Sequence, residues 1–492
     1  MIVTTELRDV LNAQGVPTRQ LVLSYINEQG GISFLTYDIP VDQLYQWKYA
    51  KRGDVVDPAF MSWDFKAVKK DKVNGYLSDQ RIHEILLDII SANPAVNVIN
   101  ELHMPKTYFC DIEVDVDNGF PEAADARNPV NTISWVFDDQ VYVFGRKRLS
   151  GEEIQWIQQQ IDEHCSRFDT KYKFTYICHE DEVELLTDFF QNHVKNAPCI
   201  TGWNFFGYDW PYLYNRCKNL GIDISYISPS NTWYNYRPQN AQNGESISLP
   251  KHKFLYDYME IYVKWDKSVK IKESNKLDWV ADHVLGVKKV EHALGFAEEW
   301  AQKPAEYIFY NGVDSILVKE IDNSIRTSGA FMGLANLMHV DALTAFSPVR
   351  SLEIVQTEYL YKEHRVFPVS NKKKDTSDES YEGAFVYQPI AGIYKNVIAL
   401  DFASLYPTTM RQFNISPDTY IKNDKAHRSN SHEIKCVSGA IYQKDFEGFI
   451  PKILTDFYMQ RKTYKKEMMI AIKEKFYLEE IYEKRFGKSF VE

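Results

Sequence analysis

The run Thr107-Tyr-Phe-Cys-Asp-Ile-Glu-Val-Asp115 alternates apolar residues with carboxylates. In an extended chain alternate side chains share a face, so Asp111, Glu113 and Asp115 point one way while Cys110, Ile112 and Val114 point the other. Such a strand can bury only its apolar face. Its other face gathers like charges, which repel and raise one another's pKa. Solvent relieves that repulsion if the segment is a half-exposed edge strand. A hard divalent cation relieves it equally, because Mg²⁺ and Mn²⁺ prefer carboxylate oxygens.

The surroundings of this strand are α/β. From about residue 105 to 325, apolar strands alternate with amphipathic helices. Ile200-Thr-Gly-Trp-Asn-Phe-Phe-Gly-Tyr-Asp-Trp-Pro211 reads as a strand end, a glycine-containing turn and a helix beginning near Pro211. Asp209 falls at that helix start, where a plain N-cap role also suits it. In Tyr310-Asn-Gly-Val-Asp314, the i, i+4 spacing puts Tyr310 and Asp314 on one face of a helix that Pro304 opens. An aromatic-carboxylate pair on an ordinary surface has the same spacing. The polar stretch 233–254 contains Asn243-Gly244, a strong hairpin-turn signal.

Taken in order, Asp-x-Glu on a strand, Asn-x-x-x-Tyr-Asp, and Tyr-x-x-x-Asp resemble the three motifs of proofreading 3′→5′ exonucleases of the DEDDy type. The resemblance implies a ribonuclease-H-like domain. Asp111, Glu113, Asp209 and Asp314 would hold two Mg²⁺ or Mn²⁺ ions, about 3.5–4 Å apart as in other two-metal sites. Tyr310 would orient the attacking water, and Asn204 and Tyr208 would contact substrate. The hairpin at 233–254 lies where T-even-type phage polymerases carry one.

A second constellation lies nearer the C-terminus. Val397-Ile-Ala-Leu-Asp401 places a carboxylate at the end of an apolar, strand-like run, a common way to present a metal ligand. Asp401-Phe-Ala-Ser-Leu-Tyr-Pro407 resembles motif A of family B DNA polymerases, with T-even-type phage enzymes the nearest in character. By that resemblance Asp401 and the Phe402 carbonyl bind Mg²⁺, Ser404 and Leu405 face the triphosphate, and Tyr406 stacks under the sugar. Tyr381-Glu-Gly-Ala384 resembles the family segment that contacts DNA between the two sites, through Tyr381 and Gly383. Arg461 and Lys465, one helical turn apart, match the start of the first fingers helix and would reach a triphosphate. Without the family, that run reads as a solvated basic helix face.

The chain of 492 residues is too long for one ordinary domain. The expected architecture is multidomain, α/β and α+β. It comprises an N-terminal domain (1–104), an exonuclease domain (105–328), a return to the N-terminal domain (329–370), a partial palm (371–455) and the start of the fingers (456–492). The sequence after Asp401 has neither the family's Lys-x-x-x-Asn-Ser-x-Tyr-Gly helix nor its Asp-Thr-Asp turn. Synthesis is therefore expected only with a second chain that supplies the remaining palm, fingers and thumb. The alternatives are a stand-alone exonuclease and a non-catalytic module that binds nucleic acid or a partner.

The expected partners are primer-template DNA, single-stranded 3′ ends, dNTPs in the completed enzyme, and a sliding clamp engaged through the missing C-terminal part. The net charge of −11 argues against a simple basic nucleic-acid binder, although a local basic groove suffices for phosphate. The six cysteines form no CxxC pair, which fits a reducing cytoplasm and suggests neither a zinc site nor a disulfide framework. No signal-peptide pattern and no membrane span is read, so a cytoplasmic location is expected, that of the host if the gene is a phage's.

Overall fold

The computed structural model describes residues 1–11, 17–73, 77–92, 101–116, 119, 121–238, 246–265, 273–288, 295–369 and 387–487. Its contacts group into two compact units: Met1–Val41 with Ile89–Leu352, and Asp42–Asp88 with Glu353–Glu492. The first 104 residues are thus divided between the two. Among the described residues, no helix is long and apolar enough to cross a membrane.

The first unit is built on a six-stranded mixed sheet. Its order is Lys173–Cys178, Gln140–Gly145, Val130–Phe137, Thr107–Val114, Cys199–Gly202, Phe254–Asp257. The Thr107–Val114 strand sits inside this sheet, antiparallel to Val130–Phe137 and parallel to Cys199–Gly202. It is not the edge strand that solvated acids would suit. Cys110, Ile112 and Val114 enter one apolar cluster with Trp135, Phe189 and Trp210. The opposite face is covered by the helix Pro304–Ile325, which packs on the three strands between Thr107 and Gly145.

That helix is buried on every side from Tyr307 to Ile321, which is why it shows little amphipathic pattern. Pro304 opens it, and its missing N–H costs nothing there. The helices Gly151–His164, Leu277–Leu285 and Phe296–Gln302 pack against it.

The alternation of buried and half-buried residues runs to Val114. The register shifts between Glu113 and Val114, and the strand ends at Val114. Asp115 lies just beyond the strand and is not in the close carboxylate group that Asp111 and Glu113 enter.

Trp233–Tyr236 pairs antiparallel with Ile247–Pro250, and the Asn243-Gly244 turn expected between them lies outside the described residues. A three-stranded antiparallel sheet, Ile2–Leu11, Pro17–Ile26 and Ile32–Ile39, completes the unit. Glu6, on its first strand, accepts from Lys251 (2.9 Å) and Thr232 (3.1 Å) and meets His252 Nε2 at 2.8 Å.

In the second unit, Tyr45–Tyr49 pairs with Val68–Lys72, and Arg365–Val366 with Met61–Ser62. Tyr45, Trp47, Val68 and Val366 form its small core. On the helix Asp79–Ala92, Glu84 accepts from Trp47 Nε1 at 2.9 Å and from Arg81 at 2.8 Å. A small sheet of Tyr420–Asn423, Ala440–Gln443 and Glu433–Lys435 lies between the helices Leu405–Gln412 and Phe449–Phe486 in sequence.

Val397–Leu400 forms no strand, contrary to the sequence expectation. Val397, Ile398 and Leu400 are 72%, 83% and 91% exposed. An apolar run becomes a strand only where neighbours accept its backbone bonds, and among the described residues none pairs with it. Residues 371–380, together with Tyr381 and Gly383, lie outside the described residues.

Candidate active site

Asp111, Glu113 and Asp314 each offer a carboxylate oxygen, and these three atoms lie within 4.8 Å of one another. Two come from the polar face of a central strand and the third from the buried helix laid across it. Asp111 and Glu113 are half-buried and Asp314 is buried, and acids held this close repel one another unless positive charge compensates. Oxygen donors of this kind suit a hard divalent cation.

Tyr310 is one helical turn before Asp314 and is hydrogen-bonded to it. Burial, and then the charges of Asp314, Glu113 and Asp111, push its phenol well above the usual tyrosine range. It therefore stays protonated at neutral pH.

Asp209 is not one of the three clustered groups. It is the first residue of the helix Asp209–Asn219, whose N-cap is Tyr208, so the N-cap reading does not hold. Its buried carboxylate accepts from the backbone N–H of Ile112 at 3.0 Å. Burial, and next the charge of Asp111, raise its pKa well above the ordinary carboxylate value. The charge of Asp111 thus reaches Asp209, while the hydrogen bond ties Asp209 to the strand that carries Asp111.

The turn before Asp209 is clamped from two sides. Asp257 accepts from the backbone N–H of Phe206 at 3.0 Å, and its pKa is raised to about 7 by burial. Gly202 has no room for a side chain, since an added Cβ would lie 2.3 Å from the Cys110 carbonyl oxygen. Asn204 has a left-handed backbone (φ 58°) and is exposed. The Tyr208 hydroxyl donates to the Pro121 carbonyl at 3.3 Å.

Asn311 is a residue that the sequence motifs do not single out. Its Nδ2 donates to Asp111 Oδ2 at 2.7 Å and to the Asp111 carbonyl at 3.3 Å. An amide three positions before Asp314, in the stretch of the helix buried on every side, is the signal the sequence offers. Ser134 and Ser315 give no sequence signal either. Their hydroxyls meet at 2.6 Å, and Ser134 reaches the Asp111 carbonyl at 3.4 Å.

The second set of predicted residues belongs to the other unit. Asp401 is exposed, as are Phe402 (75%), Leu405 and Tyr406 (72%). Ser404 takes a left-handed conformation (φ 51°) and precedes the helix Leu405–Gln412. Arg461 and Lys465 are exposed on the helix Phe449–Phe486. Among the described residues, no cluster of three metal-ligating groups includes Asp401.

A mixed sheet with carboxylates converging under a buried helix defines an α/β protein with an acidic site suited to divalent cations. The family model "DNA polymerase family B, exonuclease domain" matches residues 36–260, and "DNA polymerase family B" matches residues 353–485. The chain belongs to DNA polymerase family B and carries the family's exonuclease domain. The first match ends before Tyr310 and Asp314, while the second includes Asp401.

The chain is 28% identical to the DNA-directed DNA polymerase of Escherichia phage RB69, over 80% of this chain and 44% of the relative. It is 26% identical to the DNA-directed DNA polymerase of Enterobacteria phage T4, over 79% of this chain and 45% of the relative. A more distant relative is the DNA polymerase catalytic subunit of Epstein-Barr virus, at 24% over 72% of this chain and 36% of the relative. The chain thus spans less than half the length of these relatives.

Proposed function

We propose that this chain is the N-terminal part of a replicative DNA-directed DNA polymerase, and that its α/β unit excises nucleotides from DNA 3′ ends. The observation that carries this reading is the convergence of Asp111, Glu113 and Asp314 within 4.8 Å, beside Tyr310. The sheet order and its flanking helices support a ribonuclease-H-like architecture for that unit.

Asp111, Glu113, Asp209 and Asp314 are the groups that would hold Mg²⁺ or Mn²⁺. Bound there, such ions polarise phosphoryl oxygens and lower the pKa of water. The rest falls to the chain's own side chains. Tyr310, protonated and held by Asp314, orients the attacking water through its hydroxyl. Asn204, exposed on the turn before Asp209, is the favoured substrate contact, while Tyr208 spends its hydroxyl on Pro121.

The test is a 3′-labelled single-stranded oligonucleotide incubated with the full chain and Mg²⁺. Release of labelled mononucleotide is expected, and Asp111→Ala should abolish it. A parent chain that leaves the label in place would show the exonuclease reading to be wrong.

For synthesis we propose an assembly of these residues with the family's further fingers and palm motifs, which the 492 residues do not contain. Asp401 and the Phe402 carbonyl would bind Mg²⁺ there, Ser404, Leu405 and Tyr406 would line the nucleotide, Arg461 and Lys465 would meet its triphosphate, and Tyr381 and Gly383 would touch DNA. The support is the exposed Val397–Leu400 run and the uncovered apolar side chains of the Phe449–Phe486 helix. These include Met468, Ile472 and Phe476, at 51%, 44% and 71%. Primer-template DNA and dNTPs are the substrates of that assembly, and a sliding clamp would be a further partner. Co-elution with a polypeptide bearing those motifs, together with nucleotide incorporation by the mixture, is the expected result. Incorporation by this chain alone would refute the assembly.

A further inference from the structure

Asn311 lies between Tyr310 and the turn that leads to Asp314, and its side chain is fully buried. Its amide nitrogen is shared between the Asp111 carboxylate (2.7 Å) and the Asp111 carbonyl (3.3 Å). The reverse amide orientation would set a carbonyl oxygen against a carboxylate, so chemistry fixes the nitrogen toward Asp111. The amide oxygen is then left buried without a hydrogen-bond partner among the described residues. An apolar residue would fill this position without stranding a polar atom. The amide is unfavourable for packing alone, so its role is to be sought at Asp111.

We infer that Asn311 is a positioning residue for metal binding, and that it fixes the Asp111 carboxylate in the rotamer that serves the cluster. Three features of its chemistry suit this task. It donates to a single carboxylate oxygen, so the carboxylate keeps capacity to ligate a cation. It is neutral, so it does not compete with the cation as a lysine would. It grips the Asp111 carbonyl as well, so side chain and backbone are held together. Groups of this kind, which orient a ligand without touching the metal, change metal affinity by about tenfold to a hundredfold when removed. The inference rests on the exonuclease reading for its biological meaning, but its physical content is a statement about Asp111.

The experiment uses the full chain and two variants, Asn311→Ala and the near-isosteric, apolar Asn311→Leu. At least one of them should keep the parent's circular dichroism spectrum. Mn²⁺ binding is titrated calorimetrically without DNA, and excision of a single-stranded oligonucleotide is measured across Mn²⁺ concentrations. A folded variant should bind Mn²⁺ about tenfold or more weakly. Its kcat should fall at low Mn²⁺ and partly recover at high Mn²⁺, with KM for the oligonucleotide unchanged. A folded variant with the parent's Mn²⁺ affinity and kcat overturns the inference. So does a loss that appears only in KM. If the parent binds Mn²⁺ but excises nothing, the exonuclease reading fails, and the calorimetric comparison still decides the role of Asn311.

Discussion

The Asp209 carboxylate accepts a hydrogen bond from the backbone N–H of Ile112 at 3.0 Å, across 97 residues of sequence. One side chain thereby joins the helix of the second motif to the acidic strand of the first. Asp209→Asn keeps an oxygen for that N–H and removes only the charge. Asp209→Ala removes both and strands a buried donor, at a cost of about 1–3 kcal/mol. The expected outcome is that both variants lose excision, while only the alanine variant loses stability in urea denaturation.

Gly202 and Gly207 bracket the turn that precedes Asp209, and they differ in what a methyl group would meet. At Gly202 it would strike the Cys110 carbonyl oxygen at 2.3 Å, which is backbone in a paired strand. At Gly207 it would meet the amide of Asn204, the end of an exposed side chain. Gly202→Ala should destabilise the chain by about 1–3 kcal/mol and disturb the site. Gly207→Ala should cost clearly less in the same denaturation experiment.

Tyr310→Phe removes one hydroxyl hydrogen-bonded to Asp314 and little else. Excision should fall about tenfold or more, a loss within the range of a group that handles a proton or a water. Melting temperature should change little. The parent phenol is held above its ordinary range, so no ionisation of Tyr310 should appear in the rate profile between about pH 6 and 9. A parent limb in that window that vanishes in the phenylalanine variant would contradict the assignment.

Asp257 makes a pH prediction in the absence of divalent cations. Its folded pKa is raised from 3.8 to about 7, burial being the largest cause. A carboxyl group whose folded pKa exceeds its unfolded pKa favours the folded state while protonated. That contribution is full below about pH 4 and is lost as pH rises through about 7. Asp257→Asn cannot ionise. The stability advantage of the parent over this variant should shrink between about pH 4 and 7.5, as read from urea melts in EDTA at several pH values.

Much of the local architecture was legible because it is carried by periodicity and end signals. The alternation of residues 107–114, the helix opened by Pro304 and the helix that carries Arg461 and Lys465 all appear in the structure. What was not legible depends on distant partners. The hydrogen bond from Asn311 to Asp111 spans 200 residues, and no local pattern encodes it. The strand ends at Val114, an end set by its pairing with Val130–Phe137 and not by the alternation, which continues to Asp115. Val397–Leu400 has the composition of a strand, but among the described residues no neighbour pairs with it. The sequence pattern reports what a segment would accept as a partner, and not whether the partner is there.

The helix Phe449–Phe486 has 38 residues, which makes it about 57 Å long, yet only Phe449, Pro451 and Ile453 are buried. Its root is held tightly. The Gly448 N–H donates to Asn414 Oδ1 at 2.9 Å, and Ser416 leaves no space for a side chain at Gly448. The helix is therefore a lever with a fixed fulcrum. A ten-degree tilt at Gly448 carries its far tip through about 10 Å. Substitutions at Asn414 or Ser416, far from any exposed residue of the rod, would thus steer where its tip points.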